Sequence, residues 1–439
     1  MGFKRDGIYL LGNSAVQLVA GTVSSIVVAR WLGAEGKGIL YLLFLLPTFV
    51  VGLGGLGFRA SAVYFVGKGN DLRRIAIYLA GFSVLLGALY AGAGWALRDI
   101  LGSTILKGLG PGLIGIALLL IPVTLVRNYT DGFLHGRRRF GLYATLHGGT
   151  ALAKAILLLV FLPALGLGMT WAVVAYLATL LVQTAVSAAV VARDARPGGP
   201  PTPLGAFIRY GLAGHIGNLA QRANLRLDVF LLNPVVGPAG IGVYSIAVLL
   251  GELIWHVPNA AGEVLLPRVA GSSRDSARAM TEFLSRNTVL LATAATVVLL
   301  LAAPFVIRIA FGEEFADAVP ALFWLAPGLI TLSVSKILTK YLAGIGRPIL
   351  NSSASILALA VNAPLLLVLI PRYGINGAAA ATSLAYILQT AFVVFSFARE
   401  TGRPVRYCLF PRRADASVYR ALWKSWKHRV PGARQRSLP

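Results

Sequence analysis

The chain has 439 residues, 57% of them hydrophobic and only 13% charged, with a mean hydropathy of +0.75. A soluble protein must cover itself with polar groups, so this much apolar surface excludes an ordinary soluble fold and makes the bilayer the solvent. The formal net charge of +24 does not mark a nucleic-acid binder, because the 40 Lys and Arg residues cluster between apolar runs and near the C-terminus, where they signal topology. A single cysteine, Cys408, excludes an intrachain disulfide framework and a cysteine metal cluster.

The first apolar run starts at Ile8 without a small-residue cleavage site, and reads as a retained span rather than a signal peptide. Roughly 20 apolar residues cross the hydrocarbon core as a helix. By that measure there are twelve spans, at 8–29, 39–58, 75–97, 111–131, 142–162, 170–192, 206–232, 239–266, 289–311, 319–341, 350–370 and 377–397. An even number of spans leaves both termini on one side. That side carries 18 basic residues before the tail, from Lys4 and Arg5 to Lys340 and Arg347; the opposite side has six, Arg30, Lys37, Arg98, Lys107, Arg308 and Arg372. Lys and Arg are retained in cytoplasmic loops, so both termini are expected in the cytoplasm and the chain in the plasma membrane. The tail from Arg399 carries eleven basic residues, and Tyr419, Leu422, Trp423 and Trp426 are spaced as on a helix. It reads either as a helix lying on anionic headgroups or as a disordered basic tail.

The chain also repeats itself. Gly33-Ala34-Glu35-Gly36-Lys37-Gly38 follows span 1, and Gly237-Pro238-Ala239-Gly240-Ile241-Gly242 follows span 7, 204 positions later. Pro163-Ala164-Leu165-Gly166 after span 5 matches Pro371-Arg372-Tyr373-Gly374 after span 11, 208 positions later. These offsets divide the chain into six-helix lobes, 1–197 and 198–398, followed by the tail 399–439, with a two-fold axis along the membrane normal. The G-x-x-G-x-G pattern lies between membrane helices, so it is no dinucleotide fingerprint, and its glycines are expected to form a tight turn.

Ionisable groups inside spans are costly and face a bundle interior or a wet cavity. In span 7, His215, Asn218, Arg222 and Arg226 form one stripe, with Gln221, Asn224 and Asp228 roughly opposite, so this span is expected to be internal. In span 8, Glu252, His256, Asn259 and Glu263 share a stripe. Counting depth along continuous helices places Arg222 level with Glu252 and His215 level with His256, and predicts an Arg222–Glu252 pair, either a fixed bridge or a gating and coupling element. Singly, the histidines read as hydrogen-bonded structural residues. Span 1 has a milder stripe of Asn13, Gln17 and Ser24, and Lys154 lies mid-membrane without an evident partner, either snorkelling or offered to an anionic ligand. Asp131 and Arg59, at helix ends, read as structural anchors. The sequence has no G-x-S-x-G elbow, H-E-x-x-H motif or P-loop lysine, so neither enzyme chemistry nor a self-contained ATP-driven pump is expected. Cofactors are expected to be none, with energy from an ion gradient, the membrane potential or substrate consumption.

Several segments carry a family resemblance. Leu225-Arg226-Leu227-Asp228-Val229-Phe230-Leu231-Leu232, then Val236 to Ala247, Pro258 and Leu265-Leu266-Pro267-Arg268 resemble spans 7 and 8 of polysaccharide transporters, as Ala29-Arg30-Trp31-Leu32-Gly33 with Gly36-Lys37-Gly38 resembles their first pair. These are the O-antigen-type flippases of the multidrug, oligosaccharidyl-lipid and polysaccharide exporter superfamily, and the resemblance covers essentially the whole chain. It implies an all-α membrane protein of about twelve helices, in two pseudo-symmetric six-helix lobes around a central cavity lined by spans 1, 2, 7 and 8. It also implies alternating access for a polyprenyl-diphosphate-linked oligosaccharide, moved from the cytoplasmic to the outer leaflet for surface polysaccharide synthesis. Arg222, Arg226 and Lys154 are then the expected headgroup contacts, since Arg and Lys complement phosphate. Asn13, Gln17, Ser24, His215, Asn218 and Asn259 would line the cavity, and Arg222, Glu252, His256 and Glu263 would gate or couple. Partners would be the lipid-linked substrate, the bilayer and other polysaccharide-assembly membrane proteins.

Lipid II flippases, a related branch, usually carry an Arg-Asp pair in span 1 and two further C-terminal spans; this chain has neither, which ranks that substrate second. Multidrug exporters of the same fold favour acidic cavities, an alternative kept by Asp228, Glu252 and Glu263. A membrane-embedded glycan polymerase is more remote, for want of a large extracytoplasmic loop.

Overall fold

A computed structural model describes residues 2–410, 412 and 415; the aromatic tail stretch at 419–426 lies outside the described residues. In chain order the α-helices are α1 Gly2–Gly54, α2 Phe58–Gly67, α3 Leu72–Ala96, α4 Arg98–Ser103, α5 Pro111–Gly136, α6 Phe140–Leu159, α7 Met169–Asp194 and α8 Leu204–Asn224. They continue with α9 Leu227–Leu253, α10 His256–Ala270, α11 Arg274–Val306, α12 Ala318–Gly344, α13 Pro348–Thr401 and α14 Arg406–Leu409. Among the described residues, nine stretches are long and apolar enough to cross a membrane.

Three of these stretches hold two spans each. At 1.5 Å per residue, the 53 residues of α1 would reach about 80 Å if straight, against a hydrocarbon core of about 30 Å. The chain instead reverses at Gly33, whose φ of 65° suits glycine, and Lys37 Nζ donates to Ser25 Oγ across the turn at 2.8 Å. The same reversal occurs in α9 at Gly237 (φ 68°), where the Tyr244 hydroxyl donates to Asp228 Oδ2 at 2.5 Å, and in α13 at Gly374 (φ 54°). Counting each reversal gives twelve spans. The repeat is therefore conformational as well as textual: Gly33 and Gly237 share a left-handed φ, as do Gly166 (φ 65°) and Gly374.

The third glycine of each motif copy serves a different purpose. A Cβ on Gly38 would lie 1.7 Å from the Pro238 carbonyl oxygen, and one on Gly242 would lie 2.0 Å from that of Ala34. The starts of spans 2 and 8 thus meet backbone to backbone at the side opposite the termini, the far side. Around them, Arg30 donates to the carbonyls of Arg308, Ile309 and Ala310 at the end of span 9, and Glu314 accepts the Ala34 N–H at 3.0 Å. Asn233 donates to the carbonyls of Ile105 and Lys107. The lobes are therefore joined on the far side by a seam of close backbone contact ringed by helix-end caps.

At the terminal side, Arg286 in α11 holds Asp415 through two hydrogen bonds of 2.8 and 2.6 Å and reaches the Tyr407 carbonyl at 2.6 Å. Both charged residues are only 5% exposed. The Arg286 guanidinium bonded to Asp415 holds that carboxyl below the usual carboxylate range.

Two predictions follow from these contacts. In a Cys408→Ser background, a cysteine at Ser245, which is 4% exposed and adjoins the seam, should react slowly with an impermeant maleimide. Adding Gly38→Ala should speed that reaction by forcing the seam apart; an unchanged rate would show that the seam yields without opening. A depressed Asp415 pKa contributes stability above the unfolded value of about 3.9, and that contribution is lost as pH falls through the folded value. Asp415→Asn should therefore cost up to about 3 kcal/mol at pH 7, with the gap closing towards pH 3 in thermal unfolding of the detergent-solubilised chain.

Candidate functional site

The site arises where spans 2, 7 and 8 break part-way along their helices. Freed backbone groups in hydrocarbon need new partners. Span 2 breaks at Gly55, Leu56 and Gly57, and there Tyr90 donates to the Gly54 carbonyl at 2.8 Å, Tyr129 to Gly55 at 3.2 Å, and His215 Nε2 lies 2.6 Å from the Leu53 oxygen. Span 7 breaks between Asn224 and Leu227, and span 8 between Leu253 and His256, where the Trp255 indole donates to the Leu329 carbonyl at 3.2 Å.

The break in span 7 corrects the expected Arg222–Glu252 pair. Arg226, with a φ of −146°, leaves the helical path, and its guanidinium lies 2.8 Å from Glu252. Depth counted along a continuous helix selected the wrong arginine, one turn away. Span 7 does present polar groups on two sides. One side packs into its own lobe: Gln221 accepts from Gln389 at 2.6 Å and Ser355 at 2.8 Å, Asn224 donates to the Ser355 carbonyl, and Asp228, 3% exposed, accepts from Tyr244 and Thr382. The other side, with His215, Asn218 and Arg222, faces spans 2 and 4 of the opposite lobe across a cavity of about 460 Å³.

That inter-lobe cavity also takes in Arg59 and Asn128, while Gly52, Gly55 and Gly57 bare its span 2 wall, and no Asp or Glu lines it. A Cβ on Gly52 would lie 3.6 Å from the Arg222 guanidinium, so the small residue gives that side chain its room. Arg222 has no ion-pair partner among the described residues. On the terminal side of the cavity, Tyr64 and Tyr210 stack at 4.3 Å and Ser61 donates to the Phe207 carbonyl at 2.8 Å, joining spans 2 and 7.

The expected headgroup contacts do not share one cavity. Arg222 lines the inter-lobe cavity, Arg226 is committed to Glu252, and Lys154 lies inside the N-terminal lobe, 4.5 Å from the centroid of the Tyr176 ring. Gln17 lines the same inner cavity as Lys154. Asn13 is buried facing Gly148 of span 5, and Ser24, also buried, lines neither cavity, its hydroxyl donating to the Ala20 carbonyl of its own helix at 2.7 Å. His256 and Asn259 are exposed on α10, whereas Glu263 bonds Lys340 at 2.9 Å well away from Glu252. Asp131 bonds His147 at 2.9 Å, while Arg59 is a cavity residue rather than only an anchor.

Two lobes of six membrane helices, joined on both sides of a basic cavity, define a transporter of the exporter-superfamily fold. The family profile described as lipid II flippase MurJ matches residues 74–414, and the chain belongs to that family. It is similar to a probable low-salt glycan biosynthesis flippase of Haloferax volcanii, with 22% identity over 79% of this chain and 81% of that protein. Among solved structures, lipid II flippase MurJ in an inward closed conformation superposes with a TM-score of 0.71 at 13% identity, covering 96% of this chain and 93% of its own. An inward-facing multidrug resistance transporter superposes with a TM-score of 0.68 at 16% identity, covering 88% and 94%.

The corrected pairing is checked by double-mutant cycles on thermal stability. Arg226→Ala with Glu252→Ala should show a coupling of about 1–3 kcal/mol, whereas Arg222→Ala with Glu252→Ala should be additive within about 0.5 kcal/mol. The reverse pattern would restore the Arg222 pairing.

Proposed function

We propose that the chain translocates a polyprenyl-diphosphate-linked oligosaccharide from the cytoplasmic to the outer leaflet of the plasma membrane, with both termini in the cytoplasm. The observation that carries this reading is the inter-lobe cavity, where Arg59 and Arg222 face each other's lobe with no lining carboxylate. A diphosphate suits such a site, since guanidinium groups bind phosphoryl oxygens through charge-assisted bonds. Asn128 and Asn218 line the cavity beside them with amide side chains, in the manner of a sugar site. The lack of lining acid weighs against a cavity for cationic drugs. The relative from Haloferax volcanii supports glycan flipping, and the family profile supports lipid II as a second substrate, although span 1 lacks the Arg-Asp pair of that branch. We take the protein to be a transporter without enzyme chemistry or cofactor, driven by an ion gradient or the membrane potential and working beside other polysaccharide-assembly proteins.

The test is the leaflet distribution of lipid-linked oligosaccharide in cells lacking the protein, read with an impermeant glycan probe. Wild type should restore outer-leaflet precursor, and Arg222→Ala should restore at least tenfold less at equal expression. If precursor reaches the outer leaflet without the protein, the reading falls. Parallel measurement of lipid II separates the two substrates.

A further inference from the structure

We propose that Arg127, Lys154 and Gln183 form a phosphoryl-oxyanion site inside the lobe of spans 1 to 6, separate from the inter-lobe cavity. The three residues line a cavity of about 240 Å³, against the roughly 10–15 Å³ that one water needs. Three of its walls are helical stripes, Leu120, Thr124 and Arg127 on α5, His147, Thr150 and Lys154 on α6, and Tyr176, Thr179 and Gln183 on α7, and α1 closes it with Gln17, Phe44, Pro47 and Thr48. Each stripe follows the i, i+3 or i+4, i+7 spacing of one helix face, so three faces of one lobe converge on the same space.

The donors there are not used up by the protein. Among the described residues, neither Arg127 nor Lys154 has a carboxylate within salt-bridge distance; the Tyr176 ring beneath Lys154 attracts a cation without neutralising it. Asp131, one turn along from Arg127, does not line the cavity and bonds His147 at 2.9 Å. Gln183 is 4% exposed, and its Nε2 has no partner. The nearest hydrogen-bonding group is the Thr150 hydroxyl at 3.4 Å, so in either orientation of the amide at least one N–H lacks an acceptor. Buried donors of this kind are rare and call for a partner, and two cations inside a membrane lobe, of which Arg127 alone feels a carboxylate, that of Asp131 beyond salt-bridge distance, are costly without an anion. A guanidinium, an ammonium and an amide N–H around a space this large match a multi-oxygen anion better than a monatomic one. The shared chemistry is a phosphoryl group, supplied either by free diphosphate or by the diphosphate of a lipid; only the lipid source rests on the flippase reading above.

The test uses the full chain in phosphatidylcholine nanodiscs, titrated with inorganic diphosphate and, separately, with polyprenyl diphosphate loaded into the disc. Lys154→Gln, Gln183→Leu and Arg222→Gln are compared with wild type, each checked for an unchanged far-UV spectrum and a monodisperse elution profile. Binding of inorganic diphosphate that weakens at least tenfold in Lys154→Gln and Gln183→Leu, but not in Arg222→Gln, supports a site for the free anion. The same pattern with polyprenyl diphosphate alone supports a headgroup site. The proposal is overturned if neither probe binds, if binding is unchanged in both inner-lobe variants, or if only Arg222→Gln weakens it. Gln183→Leu removes no charge, so it serves as the test if Lys154→Gln does not fold. Flipping by wild type without inner-lobe binding defeats this site alone, whereas inner-lobe binding without flipping defeats the flippase reading alone.

Discussion

The structure depends on the contact between the two copies of the G-x-x-G-x-G motif. In each copy the first glycine turns the chain and the third brings the following helix against the opposite lobe, so Gly38 meets Pro238 and Gly242 meets Ala34. Only residues without a Cβ permit this, because the hypothetical atoms would fall at 1.7 and 2.0 Å from backbone oxygens, which cannot swing aside as a side chain can. The contact joins the lobes on the far side, and Arg30 and Glu314 reinforce it by capping helix ends across the seam. With that side closed, spans 2 and 7 leave a cavity between the lobes nearer the termini. The far-side seam and the terminal-side approach of Gly57 to Gly211, with the Tyr64–Tyr210 stack beside it, together bound that space.

The second constraint is the one the bilayer places on broken helices. Breaks in spans 2, 7 and 8 release carbonyls and N–H groups where water is scarce, and nearby polar side chains are recruited to satisfy them. Tyr90, Tyr129 and His215 each bond a backbone carbonyl at or beside the break in span 2, while Asn224 and Trp255, beside the breaks in spans 7 and 8, reach carbonyls of spans 11 and 10. Polar residues in the membrane thus fall into two sets, those that repair backbone and those left facing a cavity. Arg59, Arg222, Arg127 and Lys154 belong to the second set, in two separate spaces.

Twelve spans and the internal repeat were legible because both depend on properties that survive without coordinates: run length against bilayer thickness, and the spacing of turn glycines. Side-chain partners were less legible. Arg222 was matched with Glu252 on the assumption of an unbroken helix, and the break before Leu227 moved Arg226 into its place. Ser24 was assigned to a cavity from its helical stripe, yet a serine in an apolar helix can satisfy itself on the carbonyl four residues back. Arg127 and Gln183 were harder to find as a set, because the three stripes that bring them to Lys154 lie on different helices and no single periodicity reveals their meeting. Three of the six far-side cations, Arg30, Lys37 and Lys107, bond carbonyl or hydroxyl oxygens across turns or between lobes.

The placement of cations also bears on energy. In the proposed direction a diphosphate leaves a negative interior, and each elementary charge moved across 100 mV is worth about 2.3 kcal/mol, so the membrane potential itself favours outward movement of the headgroup. The obstacle is the hydrocarbon barrier, where an unpaired anion would be far costlier than that gain. In that reading Arg59 and Arg222, in a cavity without lining carboxylate, would lower the barrier by pairing with the anion, and being fixed to the helices they would not cross with it. The same residues would bind the anion too well to release it unless the cavity changes. The far-side seam closes the cavity through short backbone contacts and helix caps set in an apolar core shared by both lobes, in which the rings of Phe49 and Phe230 meet at 4.7 Å. A basic cavity that holds the headgroup, and a glycine seam whose opening would release it, together meet the two requirements of outward transport.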